Sequence, residues 1–228
     1  MTMSSLPAGL TLCHDLTAAA WVREALPDFA AGMIGSLLPA GYERYVRVLH
    51  PSGCDEDDDA DTDDGPGEGT LPGPLAAPLA SVLKGCTATP DDCCFGVWEG
   101  CGYFDDGTVT AVLTSGTGIS SWRVRPAVDI ADAPRLELPH RGYAVFQGPV
   151  DSVTALAMVV AGEVGEGAEV ANALVPDLWW PADRSWFVHG DTDLTATWIA
   201  CSATAAEQVL AHQALDAVVM PPDSPVLP

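Results

Sequence analysis

The chain has 228 residues, 48% of them hydrophobic and 18% charged, a make-up that fits a folded globular protein and excludes a disordered one. Thirty-two acids face nine bases, a formal charge of −23, and a surface of that sign repels phosphate backbones. Nine of the acids lie between Asp55 and Glu68, so the rest of the chain still carries 23 acids against 9 bases and the acidity belongs to the folded body.

Asp15 to Leu26 reads as a helix with Asp15 as its cap, because Ala18, Ala19, Ala20, Trp21, Val22 and Ala25 suit a period of 3.6, and Pro27 ends it. Tyr42 to Leu49 is rich in Tyr and Val and stops at Pro51, which predicts a strand; Arg44 and Arg47 suit a half-buried edge. Cys54 to Gly73 has too little apolar content to repay ordering and is expected to be a mobile acidic loop. Calcium is the sharper reading of that run, but it lacks the spacing and distal glutamate of a calcium-binding loop.

Leu75 to Leu83 predicts a short helix with Pro74 at its entry. Strands follow at Cys93–Trp98, at Thr108–Leu113 before the turn Ser115-Gly116-Thr117-Gly118, and at Tyr143–Phe146. Asp151 opens a helix expected to reach Ala161. Ser185–Val188 and Thr195–Ala200 read as strands able to pair as a hairpin. Ser202 caps a last helix to about His212 with Ala206, Val209 and Leu210 inward, and Val218-Val219 suggests a closing strand. The sum predicts an α+β fold, a mixed and largely antiparallel sheet with three to four flanking helices in one domain spanning 1–228.

No apolar run approaches the ~18 residues that cross a bilayer. Arg23 and Glu24 come too late for a secretory signal, so the expected location is the cytoplasm. Seven cysteines, an odd number, do not suggest a secreted disulfide framework, and most are expected to be reduced thiols serving as small apolar residues. Cys86, Cys93, Cys94 and Cys101 lack the close pairs of a zinc site, and neighbours on a strand point to opposite faces. Cys201 at the mouth of the last helix is a candidate nucleophile if the helix dipole lowers its thiol pKa, and His140 near Glu99 is a candidate acid–base pair. No nucleophile elbow, zinc-protease, phosphate-loop or dinucleotide motif is present, so no cofactor or metal is expected.

Asp191 and Asp193 in Gly190-Asp191-Thr192-Asp193 invite a metal, but a turn supplied with short carboxylates is the commoner reading. Asp183 and Arg184 look like a salt bridge. The adjacent Trp179 and Trp180, read as a loop before Pro181, suggest either core packing or one exposed aromatic at a contact surface. With Glu99, these are the candidate binding residues: Trp179, Trp180, Asp183, Asp191, Asp193 and Glu99. Arg123, Arg125, Arg135 and Arg141 are the only basic cluster, too small to neutralise a nucleic-acid backbone.

Four segments, Tyr45–Pro51, Phe95–Gly100, Leu138–Tyr143 and Trp180–Trp186, resemble an uncharacterised protein group of high-GC Gram-positive bacteria, which implies no activity. Leu38-Pro39-Ala40-Gly41-Tyr42 and the unit from Trp186 to Leu210 are similar to the opening and closing parts of the SUKH superfamily, whose bacterial members include immunity proteins against toxins. The chain departs from that pattern in its length, its acidic insertion and the lack of an asparagine-glycine after the opening. The expected function is non-catalytic binding of a basic protein, immunity-like in form, with no nucleic-acid or membrane partner. The alternatives are an enzyme built on a thiol or a His/Glu pair, and an acidic mimic of nucleic acid.

Overall fold

The computed structural model describes residues 9–29, 32–51, 67–101, 109–115, 118–124, 130, 132–154, 156 and 175–226. The acidic run at 55–64 and most of the helix expected from Asp151 to Ala161 lie outside them. In chain order the elements are β1 (Thr11–Leu12), α1 (Ala20–Ala25), α2 (Ile34–Leu37), β2 (Arg44–Leu49), α3 (Gly73–Lys84), β3 (Cys93–Trp98), β4 (Val109–Ser115), β5 (Gly118–Val124), β6 (Arg135–Leu138) and β7 (Arg141–Gly148). They continue with β8 (Leu178–Pro181), β9 (Trp186–His189), β10 (Ala196–Cys201), α4 (Ala203–Ala211) and β11 (Ala217–Met220).

Nine strands form one sheet in the order β1-β7-β3-β8-β9-β10-β2-β11, with β6 and β1 sharing the outer edge of β7. Every neighbouring pair is antiparallel, so the architecture is α+β. β4 and β5 pair as a separate two-stranded ribbon. The predicted strand at Tyr42–Leu49 forms, but β2 is no edge: β10 flanks it on one side and β11 on the other.

The sheet is buried on both faces, and the period of two divides its side chains cleanly. On one face Val46, Phe95, Phe146, Trp179, Trp186 and Ile199 meet α3 and α4. Helix α3 supplies Ala76, Leu79, Ala80 and Leu83, an i, i+3, i+4, i+7 stripe. Helix α4 starts where Ser202 Oγ accepts the Ala205 N–H at 3.2 Å, and it buries Ala205, Ala206 and Val209. Leu210 departs from the prediction: it lies outside that stripe and is exposed. On the other face Cys94, Val145, Trp180, Phe187 and Trp198 meet Val22, Leu26, Phe29 and Ile34.

Trp179 and Trp180 are therefore not loop residues. They lie in β8, point to opposite faces and are both fully buried, so neither forms a contact surface. Trp180 stacks on Phe187 at 5.7 Å, and Trp179 meets Trp186 edge-on at 5.9 Å. The C-terminal part of the expected loop is also ordered: Leu71 is buried in the core and Gly69 pairs with Asp191.

Candidate functional site

Antiparallel order brings six strand termini to one end of the sheet: the ends of β2, β3 and β9 and the starts of β7, β8 and β10. There the chain gathers polar side chains that are far apart in sequence. Arg141 Nη2 donates to Asp191 Oδ1 at 2.9 Å and to Asp193 Oδ2 at 3.1 Å, while its guanidinium lies over the Trp98 ring at 4.4 Å. Asp191 Oδ1 also accepts the Asp193 N–H at 3.0 Å, which closes the turn. Glu99, next to Trp98, accepts a bond from Arg135 Nε at 3.3 Å. Gly142 lies so close to Glu99 that a Cβ there would sit 2.6 Å from its Oε1.

Behind this layer lies Asp177, only 2% exposed. The Trp98 N–H donates to Asp177 Oδ2, at 2.8 Å. The Asp177 carbonyl accepts the Gly190 N–H at 2.6 Å. Asp177 Oδ1 has no hydrogen-bond partner among the described residues. Burial pushes its carboxyl up to about 7, the nearby Asp191 adds to the effect, and the Trp98 N–H and Arg141 oppose it.

His189 is fully buried beside Phe29, 5.2 Å between rings, with both ring nitrogens unpartnered among the described residues. Burial, with the charge of Arg141, pushes it down to about 3, so the ring is neutral. Tyr143 is driven well above its ordinary value by burial and by Asp177, with Arg141 acting the other way. His50 completes this end of the sheet: its Nδ1 donates to the Gly67 carbonyl at 3.2 Å, and its Nε2 accepts from Thr197 Oγ1 at 3.0 Å.

The arrangement ties strand ends together and leaves little charge for a ligand. Arg141 is matched by two carboxylates and covered by Trp98, so it does not offer a free cation to an anion. Among the described residues no three His, Cys, Asp or Glu side chains form a metal-binding group.

Of the sequence-predicted residues, Glu99, Asp191 and Asp193 come to this end of the sheet. Asp183 does not. It holds the turn after β8, accepting from Thr87 Oγ1 at 2.8 Å, from the Ala88 N–H at 2.7 Å and from the Ser185 N–H at 3.0 Å. The predicted Asp183–Arg184 salt bridge does not form; the Arg184 guanidinium stacks over Trp21 at 4.7 Å instead. Cys201 is not an activated thiol: it is buried against α3 and α4, and burial pushes it up to about 12, as it does Cys93 and Cys94.

The sequence reading missed Asp177, Tyr143 and His189, and took Arg141 only as part of a basic cluster. One signal was available. Asp177 is a lone carboxylate inside the apolar stretch Val175-Pro176-Asp177-Leu178-Trp179-Trp180, where a buried acid must be hydrogen-bonded or neutral. No family model matches the chain, and no curated protein or solved structure matches it either.

Proposed function

We propose that this protein is a non-catalytic binding protein that presents an acidic face to a basic protein partner. The placement of charge carries the reading. Every described carboxylate except Asp177 and Asp191 is exposed, whereas the exposed cations among the described residues are Arg23, Arg44, Lys84 and Arg184. Of these, Lys84 is already bonded to Asp151. A surface so biased steers a basic partner into encounter and discriminates against acidic ones. A thiol enzyme is the weaker reading, because burial holds Cys93, Cys94 and Cys201 protonated at neutral pH. An immunity-like role, with a basic toxin as partner, is the form that the SUKH resemblance adds.

The test is affinity capture of the tagged protein from its native cells with elution in a salt gradient, followed by kinetics on the purified pair. The expected partner is basic, and its association rate falls at least tenfold between about 0.05 and 0.3 M salt as the Debye length shortens. A complex whose association is indifferent to salt, or whose partner is acidic, overturns the reading.

A further inference from the structure

Among the described residues four large apolar side chains stand exposed, Met33, Leu210, Val218 and Val219, at 39% to 41%. All four lie along one margin of the sheet. Val218 and Val219 belong to β11, Leu210 to the helix that precedes and packs on it, and Met33 pairs with Pro225 beyond it. β11 is the last strand in the sheet order.

The register shows which backbone groups face outward there. The Leu49 N–H donates to the Asp216 carbonyl at 2.8 Å, so residues 216, 218 and 220 turn their groups toward β2. Ala217 and Val219 turn theirs away, and among the described residues no strand takes them up. At the C-terminal end of β11, on its β2 side, an open groove of about 520 Å³ runs between Tyr42–Tyr45 and Val219–Pro222. On the far side of the sheet the edge is guarded: α1 packs on β6, and Arg23 Nε donates to the Glu137 carbonyl at 3.2 Å. β11 carries no charged side chain, and an edge so bare is a template for another strand.

We propose that β11 accepts an extended, basic segment of the partner as an added strand, a mode that rests on the acidic-binding reading above. The outward N–H and C=O groups of Ala217 and Val219 supply the main-chain bonds, and the exposed Val218 and Val219 side chains meet apolar side chains of the segment. Pro221 has no N–H and limits the added ladder at that end. The charge around β11 selects a basic segment: Asp216 leads into it, Asp223 follows it, and Glu43 lines the groove at its end, against Arg44 there and a half-buried Arg47 paired with Val218. A second copy of this chain would bring another charge of −23 to the same edge, so self-pairing is opposed.

The probe is a synthetic nonapeptide alternating lysine with valine, alongside the same peptide N-methylated on every backbone amide. Affinity is read by fluorescence anisotropy, and amide hydrogen exchange reports protection at Ala217 and Val219. The protein variant is Val219→Pro, which removes an outward N–H that β2 does not use; Val218→Pro, which breaks the β2 ladder, is the folding control. The expected result is binding with protection of both amides, weakened at least tenfold by Val219→Pro or by peptide N-methylation. N-methylation needs no change in the protein, so the outcome does not depend on the folding of a variant. Equal binding of the N-methylated peptide, or no binding of either peptide, overturns strand addition. Salt-sensitive capture that survives Val219→Pro overturns strand addition while leaving the acidic-binding reading in place; capture by the unaltered protein that is indifferent to salt overturns the acidic-binding reading.

Discussion

Asp177→Asn changes one oxygen of a buried carboxyl to nitrogen and removes its titration. The carboxyl titrates near 7 in the folded protein against 3.8 ordinarily, because burial disfavours its charged form. Its folded pKa is raised, so its contribution is fully present below the ordinary carboxylate range and is lost as pH climbs toward 7. Three pKa units correspond to about 4 kcal/mol at ~1.4 kcal/mol each. The asparagine keeps an oxygen to accept the Trp98 N–H and is neutral at every pH. Variant and parent should therefore match in stability near pH 4, and the variant should gain about 4 kcal/mol relative to the parent by pH 8.

His189 gives the experiment a second reading. Its folded pKa, about 3, is depressed from 6.5, so its contribution is present above 6.5 and lost as pH falls toward 3. In the parent the two slopes oppose each other between about pH 4 and 6.5, since Asp177 loses stability with rising pH while His189 gains it. Removing Asp177 leaves the His189 slope uncompensated, on the order of 3 kcal/mol across that interval. Urea unfolding at fixed ionic strength from pH 4 to 8 measures both effects. A variant-minus-parent difference that stays flat with pH would refute the account, since Asp177 would then ionise as an exposed carboxyl does.

Two further outcomes test local geometry. His140, in the Pro139-His140 turn between β6 and β7, is held at φ 66°, where a side chain is strained by ~1 kcal/mol or more. His140→Gly should raise stability by up to about 1 kcal/mol and Tm by ~2–4 °C in a thermal melt, and a lower Tm would contradict the turn. Trp186 is fully buried, and its Nε1–H donates to the Leu83 carbonyl at the end of α3, at 3.0 Å. Trp186→Phe loses that bond and leaves space against Trp179, so denaturant unfolding should show a loss of about 2 kcal/mol; a loss under ~0.5 kcal/mol would mean the bond and packing count for little.

Local pattern was enough to find β3, β9, β10 and α4, because each carries its own signal: an apolar β-rich run between turns, or a Ser cap before a 3.6-residue stripe. It failed at β8, where Leu178–Pro181 is buried on both faces and shows no alternation, and where Pro181 reads as a loop. It also failed at β1 and β6, whose two and four residues are too few to show a period. The surface charge and the opposite facing of Cys93 and Cys94 were legible for the same local reason: both depend on composition and on the alternation within one strand. The company kept by Arg141 was not. Asp177, His189 and Asp191 reach it only because antiparallel order returns β3, β7, β8 and β9 to the same end of the sheet, and strand order is set by which faces can be buried together. The bare edge at Val219 follows from the same choice: a strand becomes an edge through what fails to pair with it, and that is a property of the whole sheet.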